Sequence, residues 1–380
     1  MNIIAALASL LRRPLKDFRF SVLPVPGRLI AVIFFVFLFI TPLLTKNPIY
    51  LHFSTKANIL IIFAVSWDLL SGYSGQLNFG HALFFGVAAY TTGLLNYYLG
   101  WQPWATIPLS VLVAVAAGVL TCLPALRLRG SYLALLTLAF PLMLAGIFLA
   151  LRKYTGGEEG VSDLPILAGT YAARYYICLL VMTASVLIMW KLSDAGSKYI
   201  RTGLIFHAIR EDEIAARATG INTIRYKILA FAIGGFFAGL AGALLTHVDT
   251  STSVHSLTLT LSFQAIIFVV FGGIVSIYGS VVGVYTLYPL LYYSEVARYR
   301  IGELIKVTTS APLVGILEVI RDLTEHPTLV LAALVIVILL FMPEGLAVWI
   351  RDKLERECPR CKLSNAAWRR ECRACSAPLH

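Results

Sequence analysis

The sequence predicts an all-α polytopic membrane protein of about ten transmembrane helices, followed by a small cysteine-held C-terminal unit. Three observations carry this. Of 380 residues, 58% are hydrophobic and 13% are charged, about half the charge of a soluble globular domain. Mean hydropathy is +0.80. The apolar residues run continuously and do not alternate, which fits spanning helices and not a barrel. The last residues, 358–380, break with all of this and hold four cysteines in two C-x-x-C pairs.

From the N-terminus, Met1–Leu11 is apolar, but Arg12, Arg13, Lys16 and Arg19 follow it instead of preceding it. That order does not fit a cleavable signal. Residues 1–28 read instead as a basic arm lying on the membrane. Ten apolar segments then follow: Leu29–Leu44, Ala57–Leu70, Ala82–Leu99, Ala105–Leu126, Ser131–Leu151, Tyr175–Trp190, Ile228–Leu245, Leu261–Phe271, Val281–Tyr293 and Leu329–Met342. A spanning helix needs about 20 mostly apolar residues, so several need their flanks to cross. Together they make a transmembrane body over 29–346.

Ten crossings return both ends to one side. Basic residues near the first helix assign that side to the cytoplasm, in a multi-pass inner-membrane protein. Arg127, Arg129 and the segment Gly196–Lys227 agree, whereas Arg152 with Lys153 and Arg298 with Arg300 would face outside. The net charge of +11 then reads as anchoring to membrane lipids, with no need for nucleic acid.

One cytoplasmic loop, 193–227, holds "REDEIAARATGI", Arg210 to Ile221. Read as one short helix, it places Glu211, Asp212 and Glu213 in the first turn, at the positive end of the helix dipole. Ala215, Ala216 and Ala218 favour helix, and Gly220 stands where a C-terminal cap takes positive φ. Small side chains admit another backbone, and charges such as Arg210 and Arg217 fix register at a contact edge. A solvated loop of helix formers is the plainer reading of the same residues.

Glycine is dense at Gly72, Gly75, Gly80 and Gly86, among Tyr73, Ser74, Gln76, Asn78 and His81. Backbone unwinds at membrane depth only where it lines a cavity or is buried in protein, and transporters place binding sites at such breaks. Ionisable groups within spans point to function. These residues are therefore candidates for the substrate pathway, although small residues also mark tight helix crossings. A second cluster, Gly272, Gly273, Gly279 and Gly283, suggests pseudo-repeated halves. Gln264 precedes it, as a pathway residue or an interhelical hydrogen-bonding group. "TGGEEGVSD" makes a tight turn with an acidic rim on the outer side.

Several of these stretches together resemble one family. "AIREDEIAARATGINTIRYKILAFAIGGFFAGLAGALL" (Ala208–Leu245), "LSGYSGQLNFGHALFFGVAAYTTGLL" (Leu70–Leu95) and "LRLRGSYLALLTLAF" (Leu126–Phe140) occur in order. "YTGGEEGVSDLP" (Tyr154–Pro165), "FGGIVSIYGSVVG" (Phe271–Gly283) and "MPEGL" (Met342–Leu346) complete the set. The chain thus resembles the permease subunits of branched-chain amino acid ABC transporters, LivM-type, over roughly Ala57 to Leu346. It departs at Val275 and Ala88, where the family usually has glycine, and at Ser280. The resemblance implies a homologous second permease, two cytoplasmic ATPase subunits docked on the Arg210–Ile221 helix, and an extracytoplasmic substrate-binding protein. In agreement, the sequence holds no G-x-x-x-x-G-K-[ST] phosphate loop, so ATP enters only through partners and the chain is not itself an enzyme. Urea or short amides are the alternative cargo on the same fold. An ion-coupled carrier should show more acidic residues within spans, where Asp68 is nearly alone, and the seven histidines are too scattered for a catalytic set.

Past a linker at 347–357 comes "CPRCKLSNAAWRRECRACSAPLH". Cys358 with Cys361 and Cys372 with Cys375 supply four thiolates from two knuckles, suited to tetrahedral structural zinc. The stretch is similar to short zinc ribbons, although Lys362 and Ser376 stand where such ribbons usually carry glycine. Two disulfides are the rival, disfavoured in a reducing compartment. Cys122 and Cys178 lie in spans and read as core residues.

Overall fold

The computed structural model describes residues 26–378, apart from 127, 129, 195–200, 308–317, 319–326, 360–363, 373–374 and 376. The basic arm up to residue 25, Arg127, Arg129, Lys198 and Cys361 thus lie outside the described residues.

Each of the ten apolar runs falls on a helix. They are α1 (Pro26–Leu44), α2 (Pro48–Trp67), α3 (Ala82–Leu99), α4 (Pro103–Ala125) and α5 (Ser131–Ala150). A single turn, α6 (Arg152–Thr155), precedes α7 (Tyr171–Ser193). The loop helices α8 (Thr202–Glu211) and α9 (Glu213–Ala218) lead to α10 (Thr223–Asp249), α11 (Leu259–Gly272) and α12 (Ile277–Val307). Last come α13 (Pro327–Phe341) and α14 (Leu346–Leu354). The starts follow from local chemistry. Asn47 caps α2 by accepting the Ile49 N–H at 3.0 Å, with Pro48 just inside. Thr170 caps α7 and Asn222 caps α10 in the same way, each satisfying an orphan donor of the first turn.

Among the described residues, six helical segments are long and apolar enough to cross a membrane: Pro48–Tyr73, Pro103–Pro124, Ser131–Ala150, Tyr171–Ser193, Thr223–Asp249 and Ala332–Leu354. A seventh forms if Leu259–Gly272 and Ile277–Tyr293, bent by 112° at their junction, count as one broken span. Leu29–Leu44 is shorter, and α3 is diluted by Tyr90, Thr91, Thr92 and Asn96. The parity that put both ends on one side rested on ten full crossings, and the described residues hold six or seven segments of spanning length.

The ends of the bundle are chemically distinct. At one end, Lys56 Nζ and His52 Nε2 at the start of α2 meet Asp249 at the end of α10, at 3.0 and 3.4 Å. Asn96 near the end of α3 meets His247, and Val161 pairs with Thr252. At the other end, the ring of Tyr73 lies 5.5 Å from that of His207 on α8. The long helices α2 and α10 therefore run antiparallel. After each, the chain turns back into the interior before the next helix begins. Ser74–His81 does so before α3, and Thr250–Thr258, with a 3-10 turn at Val254–Leu257, does so before α11. The two new helices start side by side, where the Ala82 N–H donates to Ser262 Oγ at 2.9 Å.

The segment Thr250–Thr258 holds no glycine, so this second turn into the interior has no glycine signal in the sequence.

The range 347–357, expected as a linker, is ordered into regular structure. It is the helix α14 running straight into strand β1 (Glu355–Glu357), which pairs antiparallel with β2 (Ser364–Ala366).

Candidate functional site

Three groups of predicted residues can now be placed. The first is the break between α2 and α3. The helix ends in a π-turn over Asp68–Tyr73, and residues 74–81 follow as irregular backbone, mostly buried, with Gly75 and Leu77 exposed. Buried backbone without a ladder needs other partners, and this segment has them. Ser71 Oγ donates to the Gln76 carbonyl at 3.1 Å and accepts the Asn78 N–H at 3.2 Å. The Trp67 indole N–H donates to the Asn78 carbonyl at 2.6 Å, and Thr137 Oγ1 accepts the Phe79 N–H at 3.1 Å.

Gly80 is pressed against α5. A Cβ there would stand 1.8 Å from the Thr137 carbonyl oxygen, so no side chain fits without moving backbone. Gly75, at φ +70°, packs on Arg210. Gln76 and Asn78 are buried, with the Gln76 amide donating to the Ser74 carbonyl.

His81 is fully enclosed and lies near the middle of α10, beside Gly234. Ser66 Oγ donates to the Phe63 carbonyl at 2.7 Å and stands 2.8 Å from His81 Nε2. Asn78 Nδ2 stands 3.3 Å from His81 Nδ1. An amide NH2 only donates, so Nδ1 accepts, and Nε2 carries the proton toward Ser66.

The second group surrounds Asp68, a residue the sequence singled out only as an isolated acid at a span's end. Its carboxylate accepts the N–H groups of Val275 and Ser276 at 2.8 and 3.1 Å and the Ser280 hydroxyl at 3.4 Å. It thereby pins the bend between α11 and α12 to the foot of α2. Gly72, Gly272 and Gly273 belong here. A Cβ on Gly72 would strike Asp68, one on Gly272 would strike the Gly279 carbonyl, and one on Gly273, at φ +120°, would strike Val348 and the Glu344 carbonyl. Gln264 is half-buried on α11.

Val275 sits in this bend at φ +63°, the left-handed region that a β-branched residue adopts only at a cost of about 1–3 kcal/mol. A glycine there avoids it. Val275→Gly is therefore expected to raise stability by about 1 kcal/mol, the strain less about 0.5–1 kcal/mol for glycine's extra unfolded freedom. A thermal melt in detergent checks this.

The third group is the charged loop, and it differs from the one helix expected. Arg210 and Glu211 end α8, and Asp212 leaves the helix at φ −153°, ψ 109°. Its side chain accepts the Ile214 and Ala215 N–H groups at 2.7 and 3.0 Å, which starts α9 as a separate turn. The three acids thus do not share a first turn, because Asp212 competes with the backbone as a cap. Glu213 faces its own chain. It meets Lys227 Nζ at 2.9 Å and Arg217 Nη2 at 2.5 Å, and accepts the Thr223 hydroxyl at 3.3 Å. Lys227 is buried, so this pair locks α9 to the start of α10. Ala216 faces inward, while Ala215, Ala218 and Ile214, 66% exposed, face out. Gly220 closes α9 at φ +86°. His207 on α8 is held below its ordinary pKa by partial burial and the adjacent Arg210 charge, so it is neutral at neutral pH.

At the opposite end, His247 Nδ1 lies 2.7 Å from the Pro165 carbonyl, and its Nε2 faces Asn96 Nδ2 at 3.3 Å and Thr106 Oγ1 at 3.4 Å. This ties the Gly156–Pro165 loop to α3, α4 and α10. Nearby, Tyr90 OH, Thr92 Oγ1, Asn96 Oδ1 and Thr252 Oγ1 are buried without a hydrogen-bond partner among the described residues. The sequence reading missed this set, since single hydroxyls within apolar runs carry no spacing signal.

In the C-terminal unit, the Sγ atoms of Cys358, Cys372 and Cys375 all lie within 4.8 Å of one another, a group able to hold a metal ion. Four thiolates at about 2.3 Å from zinc stand just under 4 Å apart, so the spacing fits.

Comparison with known proteins agrees with the architecture. The family model described as branched-chain amino acid transport system / permease component matches residues 49–342. The chain is 30% identical to the high-affinity branched-chain amino acid transport system permease protein LivM of Salmonella typhimurium, over 81% of this chain and 72% of that protein. The Escherichia coli protein of the same name is also 30% identical, over 83% and 72%. The guanosine ABC transporter permease protein NupQ of Bacillus subtilis is 26% identical, over 56% and 71%. No solved structure matches.

Proposed function

Because the chain belongs to the family of permease components of branched-chain amino acid transport systems, we propose that it is the transmembrane permease subunit of an ATP-driven importer of branched-chain amino acids. The likeness to LivM proteins across four-fifths of the chain carries this reading. A homologous permease completes the path, two ATPase subunits dock on the α8–α9 face, and a substrate-binding protein docks at the Gly156–Pro165 end. That assignment makes the α8–α9 face cytoplasmic. The chain itself makes and breaks no bonds.

Three features support a mechanism of alternating access. The outward Ile214, Ala215 and Ala218 offer a small apolar knob, while the Glu213–Lys227 pair makes α9 move with α10. Gly75 against Arg210 extends that motion to the α2–α3 break. Above the break, the polar atoms of Tyr90, Thr92, Asn96 and Thr252 offer hydrogen bonds to a polar solute when the helices part. Gly72, Gly75, Gln76, Asn78, Gly80, His81, Gly272 and Gly273 belong to the moving parts of that path. In the C-terminal unit the ion is structural zinc, with Cys361 as the fourth ligand by its C-x-x-C spacing.

The test is uptake by proteoliposomes holding the complete transporter. ATP-dependent accumulation of leucine, isoleucine or valine, not suppressed by excess urea or guanosine, is the expected result. Accumulation driven by an ion gradient without ATP would overturn the reading.

A further inference from the structure

The C-terminal unit is not an independent appendage. The helix α14 follows α13 after a short break and packs on the bend between α11 and α12. Gly345 and Gly273 touch so closely that a Cβ on Gly345 would lie 2.4 Å from Gly273 Cα, and Val348 covers Gly273. Arg351 Nη1 donates to the Tyr278 hydroxyl at 2.9 Å, on the first turn of α12. The helix then passes into β1 at Glu355 without an intervening residue. Glu355 Oε1 accepts the Gly27 N–H at 2.9 Å, joining the unit to the start of α1. The Ala367 N–H donates to the Leu354 carbonyl at 2.8 Å, so β2 also holds the end of α14.

What fixes this small unit is the cysteine cluster. Its strands are three residues each. Among the described residues its buried side chains are Cys358, Asn365, Ala366 and Cys372, too few for a hydrophobic core. Asn365 Nδ2 lies 3.7 Å from Cys372 Sγ, in the manner of a donor to a metal-bound thiolate. The Cys372 N–H donates to the Ala377 carbonyl at 2.9 Å, closing the second knuckle. Each thiol gives up its proton as the ion binds, and binding free energy becomes folding free energy of the unit.

We propose that zinc in this cluster acts as a brace on the permease, holding α14 against the Gly272–Val275 bend and the start of α1. Metal occupancy thereby sets how freely the bend pinned by Asp68 moves. A thiophilic metal, or its loss by chelation or thiol oxidation, is then a regulatory input to transport. The inference rests on the zinc reading above and not on what the permease carries.

The experiment uses the full chain in lipid nanodiscs. Zinc is counted by mass spectrometry of the metal, and amide exchange is followed before and after stripping with a strong chelator. About one zinc per chain is expected. Stripping should speed exchange about tenfold or more at residues 346–357 and 272–279, with Thr223–Asp249 unchanged. Glu355→Ala, which keeps every cysteine, should retain zinc and loosen only the contact with α1. Zinc present but exchange at 272–279 unaltered overturns the brace and leaves the zinc reading standing. No zinc in the intact chain overturns both.

Discussion

Replacing Asp68 with alanine is expected to be among the most damaging single changes in this protein. Its carboxylate accepts two backbone N–H groups and a hydroxyl, all within a buried bend. Removing it leaves the two N–H groups without that acceptor, at about 1–3 kcal/mol each, while the Ser280 hydroxyl keeps the Ser276 carbonyl at 3.4 Å. The loss lands on the junction of α2, α11 and α12, so uptake should fall with stability. Asp68→Asn separates the two requirements. Its single carbonyl oxygen satisfies one N–H, while its NH2 confronts the other, so it should recover part of the stability and little of the uptake. Thermal midpoints in detergent, set beside uptake rates, check this. Wild-type stability and uptake for Asp68→Ala would show that the bend is held by something else.

Ile214→Asp should do the reverse, leaving the fold intact and abolishing coupling. Ile214 is 66% exposed and makes no part of the core, so a surface change there stays within about 0.5 kcal/mol of wild-type stability. An apolar anchor seated in a partner's groove is worth about 2 kcal/mol or more, which lowers ATPase affinity roughly thirtyfold. Glu213→Lys is the contrasting case. Its partner Lys227 is buried at 2.9 Å, so two cations would share an enclosed site and α9 would detach from α10. The expected pattern is lost coupling with an unchanged melting midpoint for Ile214→Asp, and a lowered midpoint for Glu213→Lys. Equal destabilisation by both would mean that the outward face of α9 is structural.

The helices were legible because continuous apolar runs favour helix, and α3 begins and ends where its run does. Gly220 was legible as well, since a helix end calls for positive φ. What stayed hidden are contacts between residues distant in the chain. Asp68 and its acceptor role span 207 positions, and no local pattern announces a partner that far away. The turn between α10 and α11 was hidden for a different reason. "TSTSVHSLT", Thr250–Thr258, is polar and reads as a surface loop, although it turns back toward Gly86 in the interior. The split between α8 and α9 was missed because Asp212 suits both a first helical turn and a cap, and only its hydrogen bonds decide. The cysteine spacing disclosed a group able to hold a metal ion but not its attachment, which runs through Gly345, Val348 and Glu355.

The most direct test of the central claim is purification of the full chain from its own membranes in gentle detergent, with mass spectrometry of what accompanies it. The account predicts an ATPase carrying a phosphate loop in the wild-type complex and its loss from the Ile214→Asp complex, while the second permease remains in both. Wild-type preparations that keep the second permease but never contain such an ATPase would contradict it.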